Sequence, residues 1–158
     1  MDRDQLFLTV SKNDQSAADF LNMMFQIAHV WDDLIDKDVE TAAVDIHNAF
    51  LCALVYLPRN AFYRQHFDML HPITVAAVNN WLTANELERS EDENDRRIAY
   101  ISRSGYIDLI NQVAFIVGGV QWATQVGPVV RRFVHQEGWD AYCESLNKEK
   151  AAREPEGE

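Results

Sequence analysis

The sequence predicts an all-α fold, a single-domain bundle of six or seven helices. Apolar residues recur at steps of three and four through most of the chain, which is the period of a helix that buries one face. No segment alternates between apolar and polar residues for long enough to form a strand. Its 158 residues are enough to bury one core without disulfides or metal ions.

The first long helix is predicted from about residue 13, after a lead segment of residues 1–12. Ser11 and Asp14 match a variant of the capping box, and Asn13 is a second candidate cap. The domain that this helix opens is expected to span residues 13–147.

A second helix is predicted to begin at Asp38, whose side chain can accept unpaired backbone N–H groups, and to run to Pro58. A short third helix follows over residues 61–67. His71 and Pro72 mark the next joint, because a residue before proline is pushed out of the helical region. The fourth helix is predicted over residues 73–87.

The acidic stretch 88–95 is interpreted as a solvated turn that leads into a fifth helix, with Asp92 or Asn94 as its cap. Gly105 would let a neighbouring helix approach closely. The expected inner face of this helix consists of Ile98, Ile101, Ser102, Leu109, Gln112 and Ile116.

The pair Gly118 and Gly119 is expected to kink or end the fifth helix, and the pair Gly127 and Pro128 to stop the segment that follows. A last amphipathic segment covers residues 129–146 with a break at Gly138. Residues 148–158 contain no apolar side chain larger than alanine, so a disordered acidic tail is expected there.

The composition argues against nucleic acid as a partner and favours a reducing cytoplasm. A formal net charge of -11 argues against direct binding of nucleic acid, which requires lysine and arginine against the phosphates. Cys52 and Cys143 match no zinc or redox spacing, and we expect free thiols in a reducing cytoplasm. The chain shows neither a secretory signal nor a long apolar span, so no membrane partner is expected.

A polar stripe runs along the first long helix and ends in an aspartate-rich turn. Asn22, Gln26, His29, Asp33 and Asp36 follow one another at steps of four and three. Asp32 lies at the edge where this stripe meets the apolar face, one turn before Asp36. Like charges at this spacing repel, so the turn needs a cation, backbone donors or water.

Two interpretations of this turn stay open. In the first, Asp32 and Asp36 hold Mg²⁺, with Asp33 and His29 as catalytic groups and with Asp108 and Asn111 of the fifth helix as further ligands. In the second, Asp36 and Asp38 cap the next helix, Lys37 offsets part of the charge, and Asp33 faces water.

The string HVWDDLIDKD resembles the first aspartate-rich motif, DDxxD, of the class I isoprenoid synthases. The resemblance implies a helical fold in which Asp32 and Asp36 bind Mg²⁺ ions that hold the diphosphate of an allylic substrate. His29 would correspond to a histidine often found just ahead of that motif. The resemblance covers about ten residues, and this chain continues with Val-Glu-Thr-Ala where prenyltransferases have paired arginines.

Three functional interpretations follow. The first is a Mg²⁺-dependent protein that binds or acts on a small molecule bearing a phosphate or diphosphate. The second is a non-enzymatic acidic interaction protein, such as an inhibitor or a nucleic-acid mimic. The third is a helical structural subunit whose function is its homo-oligomer, with Val30, Tyr63 and Tyr106 as candidate interface residues. No organic cofactor is expected, because the chain has no phosphate-binding glycine loop.

Overall fold

The structure, a computed structural model, describes residues 1–37 and 39–153, and the regular structure in this part is helical with no strand. The helices are α1 Arg3–Val10, α2 Gln15–Asp36, α3 Ala43–Leu51, the five-residue α4 Ala61–Gln65, α5 Phe67–Glu88, α6 Glu93–Ser102, α7 Tyr106–Val134 and α8 Trp139–Arg153. A π-helical turn, Cys52–Tyr56, and a 3₁₀ turn, Leu57–Arg59, join α3 to α4. The predicted all-α bundle is confirmed, with seven helices of eight residues or more in the described ranges.

Helix α1 lies in the lead segment of residues 1–12, for which no helix was predicted. Asp2 and Gln5 form a reciprocal capping box at its start. Three of its side chains, Leu6, Phe7 and Val10, are buried in the core. The cap and these apolar positions at helical spacing explain why so short a segment is ordered.

Helix α2 begins two residues later than predicted. Its N-cap is Asp14, which accepts a hydrogen bond from the Ala17 N–H at 3.1 Å, so the predicted capping box that begins at Ser11 and the alternative cap Asn13 are both wrong. Lys12 and Asn13 both have positive φ, so the chain turns sharply between α1 and α2.

Helix α3 begins at Ala43, and its N-cap, Ala42, has no side chain that could accept a hydrogen bond. The predicted start at Asp38 is therefore wrong, and Asp38 itself lies outside the described residues. Asp36 belongs to the last turn of α2, so it does not cap the next helix either.

The predicted joint at His71 and Pro72 is wrong, because α5 runs through both residues. Proline removes one hydrogen bond from a helix, but its fixed φ is itself helical. Leu70 is fully buried, and Ile73 packs against the core on the other side of the proline. We attribute the continuous helix to this packing.

Helix α6 starts as predicted at Asp92, whose side chain accepts from the Asn94 and Asp95 N–H groups. The predicted fifth helix is then interrupted by a turn at residues 103–105, beyond which α7 begins. Because α6 and α7 are separate helices, the expected common inner face is wrong. Ile98 and Ile101 are half exposed, whereas Leu109 is buried.

Helix α7 folds back on itself at Gly119, whose φ of 76° and ψ of −177° are not helical. The predicted kink is confirmed at this glycine. Asn111 lies beside Gly127 across the bend, so the two halves run side by side. The stop predicted at Gly127 and Pro128 is wrong. Gly127 has no Cβ for the proline ring to clash with, and its neighbours Val126 and Val130 are buried.

Helix α8 follows the break predicted at Gly138 and continues to Arg153. Disorder was predicted from residue 148 onward, but residues 148–153 are helical. Glu149 is buried, and Lys150 pairs with Glu91 at 2.7 Å. These anchors explain the order of a segment without large apolar residues. Residues 154–158 lie outside the described part of the chain.

The main core lies where α1, α2, α4, α5 and α7 meet. Its buried residues are Leu6, Phe7, Val10, Ala17, Ala18, Phe20, Leu21, Phe62, Leu70, Ile107, Leu109, Ile110, Val113, Ala114, Val126 and Val130. The Trp122 indole N–H donates to the Val10 carbonyl at 2.8 Å, which ties the second half of α7 to α1. Helix α6 packs on α5, at one side of this core.

By length and composition alone, one helical stretch of the described residues, Glu93–Val134, is apolar enough to cross a membrane. The core helix of a soluble protein passes the same test, so this finding is weak support for a span. The expected absence of a membrane partner stays a prediction.

Gly105 lies against α5, and this contact supplies a test of the packing. A Cβ at Gly105 would lie 3.0 Å from the Ala77 Cα and 3.1 Å from the Ala77 carbonyl oxygen. We expect Gly105→Ala to reduce the free energy of unfolding by about 1–3 kcal/mol, because two backbones must separate. Thermal and urea denaturation would measure the change.

Gly138→Ala is the matched control, since a Cβ there meets nothing within 4 Å and its φ is not positive. We expect this control to change stability by no more than about 0.5 kcal/mol. Equal stability of the two variants would contradict the close packing of α5 and α7.

Candidate functional site

The aspartate-rich turn is the last turn of α2, and its side chains point to different sides. Asp36 is buried, and Asp32 and Asp33 are each about a quarter exposed. The Asp33 carboxylate lies 3.6 Å from the Nε2 of His29, which is exposed. Lys37 caps the helix in a left-handed conformation and donates its N–H to the Asp33 carbonyl at 3.1 Å. The predicted stripe is therefore divided between an inner and an outer face.

Asp32 is held by two donors, one from α5 and one from the turn between α6 and α7. The Trp81 indole N–H of α5 donates to its Oδ1 at 2.9 Å, and the Arg103 guanidinium donates to its Oδ2 at 3.4 Å. A quarter of the Asp32 side chain remains exposed. Each carboxylate oxygen can accept a further contact, so Asp32 keeps some capacity for a ligand.

Arg103 lies in the turn between α6 and α7 and connects three helices. Its guanidinium lies 3.4 Å from Asp32 of α2 and 3.8 Å from Glu88 of α5, and it stacks over the Tyr142 ring of α8 at 5.2 Å. Burial works against this charge, but Glu88 and Asp32 outweigh it and raise the pKa of Arg103. Arg103 therefore stays charged in a partly buried position.

Asp36 faces α8 and is paired with its last residue. The Arg153 guanidinium lies 3.6 Å from Asp36 and 3.2 Å from Glu149, one turn earlier on α8. The Tyr142 hydroxyl donates to Glu88 at 2.8 Å, which adds a second link from α8 to the same region. We call Asp32, Asp36, Glu88 and Glu149 the carboxylate cluster.

Two arginines face four carboxylates in this cluster, and the carboxyl pKa values respond to the imbalance. Desolvation, together with the charges of Asp32 and Glu88, raises the pKa of Asp36 to about 7. Desolvation, with Asp36 and Glu88, likewise raises the pKa of Glu149 to about 7. Burial also raises the pKa of Glu88, although Arg103 and Tyr142 oppose the shift. The folded protein therefore favours protonation of part of the cluster near neutral pH.

The predicted ligands from the fifth helix do not join this cluster. Asp108 is half exposed and pairs with Arg131 at 3.6 Å, across the bend of α7. The Asn111 Oδ1 is buried without a hydrogen-bond partner near Gly127. Within residues 1–37 and 39–153, no group of three or more His, Cys, Asp or Glu residues could hold a metal ion.

Two neighbouring cavities open beside Asp32, between α2, α5 and the start of α7. The first, of about 90 Å³, is almost wholly apolar and reaches in among Met24, Trp31, Val78 and Leu109. We call it the apolar cavity.

The second cavity, of about 150 Å³, is the polar cavity, and it is lined by His29, Asp32 and Ser104 among others. The two cavities share the wall residues Ala28, Trp81, Arg103 and Tyr106. They are thus adjacent halves of one cleft.

Several residues of this region were not predicted from the sequence. Glu88 was assigned to a solvated turn, although it is buried, and Arg103, Trp81 and Tyr142 have no local pattern that marks them. One signal was available, because Glu149 and Arg153 stand at i,i+4 with opposite charges, which favours a helix over a disordered tail.

A comparison of the chain with models of protein families, with curated proteins and with solved structures finds no match.

The raised carboxyl pKa values predict a pH dependence of stability. Between about pH 4 and pH 7 the folded protein keeps protons on Asp36 and Glu149 that the unfolded chain has released. Their stabilising contribution is complete below the unfolded pKa and is lost as the pH rises through about 7. We therefore expect Asp36→Asn with Glu149→Gln to raise stability at pH 8 by on the order of 2 kcal/mol and to give no gain at pH 4.

Urea denaturation across pH 4 to 8 would measure this difference. Asp4→Asn with Glu86→Gln, at exposed positions, is the matched control and should follow the wild-type pH profile. Parallel profiles for the wild type and the buried pair of substitutions would show that the cluster does not titrate as described.

Proposed function

We propose that the protein binds a small molecule in which a phosphate or diphosphate group adjoins a short apolar chain. The cleft beside Asp32 would be the binding site. One observation carries the proposal: an apolar cavity and a polar cavity share four wall residues, so that one ligand can occupy both. Binding sites of small molecules typically combine an apolar lining with a few convergent polar groups.

The apolar cavity suits a chain of only a few carbon atoms. Its volume is about 90 Å³, and its walls include the side chains of Met24, Trp31 and Leu109. Each methylene that leaves water for such a cavity contributes about 0.8 kcal/mol. The chain of the ligand would therefore add measurably to its affinity.

The polar cavity offers donors for a phosphate. Arg103 approaches Asp32 and Glu88 at distances of 3.4 Å and 3.8 Å, so its donors are not saturated by a close bidentate pair. Ser104 adds a hydroxyl to the same wall. A phosphate oxygen that entered here would meet a fixed guanidinium and a hydroxyl.

A divalent ion fits this site only together with the ligand. Mg²⁺ is commonly held by one or two carboxylates and by phosphate oxygens, with waters in the remaining positions. Asp32 lines the polar cavity and retains accepting capacity, whereas Asp36 is paired with Arg153 and lines neither cavity. When bound, the ion would neutralise the negative charge of the phosphate next to Asp32.

His29 and Asp33 would supply proton transfer if the bound phosphate ester is hydrolysed. The His29 Nε2 lies 3.6 Å from the Asp33 carboxylate, and the imidazole also lines the polar cavity. A histidine oriented by a carboxylate is the usual arrangement of a general base. The acidic-mimic interpretation stays a prediction, and Asp36, Glu88 and Glu149 would not contribute to such a surface because they are buried.

Calorimetric titration with hexyl diphosphate and with inorganic diphosphate, each with and without Mg²⁺, tests the proposal. We expect hexyl diphosphate to bind about tenfold more tightly than inorganic diphosphate, since part of its chain leaves water. We also expect Asp32→Asn to remove the effect of Mg²⁺. This substitution preserves the size of the side chain and an oxygen that can accept from Trp81.

Asp108→Asn is the matched control, because Asp108 pairs with Arg131 and lines neither cavity. It should bind both probes as the wild type does. Val78→Phe, which narrows the apolar cavity, should remove the advantage of the hexyl chain and leave inorganic diphosphate unaffected. Absence of binding by the wild type, or identical titrations of wild type and Asp32→Asn, would refute the proposal.

A further inference from the structure

Helix α3 and the π-helical turn after it form an apolar surface that other helices leave uncovered. Six large apolar side chains here are between 39% and 72% exposed. They are Trp31 and Leu34 of α2, Phe50 and Leu51 of α3, and Leu54 and Val55 of the turn. We call these six residues the α3 face.

The α3 face is exposed because α3 packs mainly on one neighbour, the helix α2. Among residues 43–56, only Ala49 and Cys52 are buried. Soluble proteins commonly expose single apolar residues, whereas the α3 face is a contiguous apolar patch. Contiguous patches of this kind mark interaction sites.

A groove lies within the α3 face, between α2 and α3. Its volume is about 220 Å³, and its lining is almost entirely apolar, with Ile27, Trp31 and Leu34 on one wall and Phe50 and Ala53 on the other. Leu54 follows Phe50 by one turn and is 72% exposed. The face therefore carries a protruding apolar side chain and an apolar groove next to each other.

This combination is what self-association about a two-fold axis requires. In such an interface the same surface of each copy supplies both the protrusion and the groove. We propose that two copies of this chain associate through the α3 face, with Leu54 of each copy in the groove of the other.

The distribution of charge leaves the α3 face as a surface through which two copies can meet. The chain has a formal net charge of -11, so two copies repel each other over most of their surfaces. Residues 41–57 contain a single charged side chain, Asp45. Two copies can approach through this segment without placing many like charges against each other.

The available area matches the size of a stable dimer interface. With the adjoining exposed residues Ile35, Val44 and Tyr56, the α3 face presents on the order of 800 Å² of apolar surface per copy. Standard interfaces bury about this area on each partner. Of the interface residues predicted from the sequence, Val30 is buried and lines the groove, whereas Tyr63 and Tyr106 are partly buried against the core.

Sedimentation velocity over a series of protein concentrations tests the proposal. We expect the wild type to be a dimer at concentrations on the order of 10–100 μM, and Leu54→Asp to be a monomer, because a buried unpaired carboxylate opposes association. Dimerisation of the wild type should strengthen with added salt, which screens the repulsion between the acidic copies.

Val120→Asp is the matched control, because Val120 is 70% exposed and lies outside the α3 face, at the bend of α7. This variant should remain a dimer, and circular dichroism should show that both variants fold. A wild type that is monomeric throughout the series would overturn the proposal, as would a Leu54→Asp variant that dimerises as the wild type does. A monomer that binds lipid vesicles or another protein through Leu54 would overturn it as well.

Discussion

A buried charge needs partners, and the partners of Arg103 determine how the helices of this protein meet. Its guanidinium reaches Asp32 of α2 and Glu88 of α5, and it stacks on Tyr142 of α8. Arg103 is partly buried, and removing one of its partners would leave its charge less well compensated, so these three helix segments constrain one another. Because Arg103 also lines both cavities, the interaction that stabilises the bundle also shapes the candidate binding site.

Helix α2 connects this interior network to the outer surface. Its inner side presents Asp32 and Asp36 to arginines, while Trp31 and Leu34 contribute to the α3 face. Trp31 also lines the apolar cavity and lies 4.8 Å, ring centre to ring centre, from Trp81. Trp31 therefore borders both the apolar cavity and the groove of the α3 face.

The sequence predicted the features that depend on local chemistry. Three features follow from neighbouring residues in this way: the amphipathic period of α2, the cap at Asp92 and the close approach at Gly105. The helices through Pro72 and Pro128 were not predictable in this way, because tertiary packing outweighs the local effect of proline. The candidate site was half predicted. Asp32 and His29, which the sequence singled out, line the polar cavity, and their metal-binding and catalytic roles stay predictions. Arg103 reaches Asp32 from 71 residues away along the chain.

Arg103 holds α8 against the ends of α2 and α5 through its contacts with Tyr142, Asp32 and Glu88. Amide hydrogen exchange of Arg103→Gln and wild type, followed peptide by peptide, tests it most directly. We expect faster exchange in α8 and in the last turns of α2 and α5, with α1 and α4 unchanged. Unchanged exchange in α8, or a uniform increase across all helices, would contradict it.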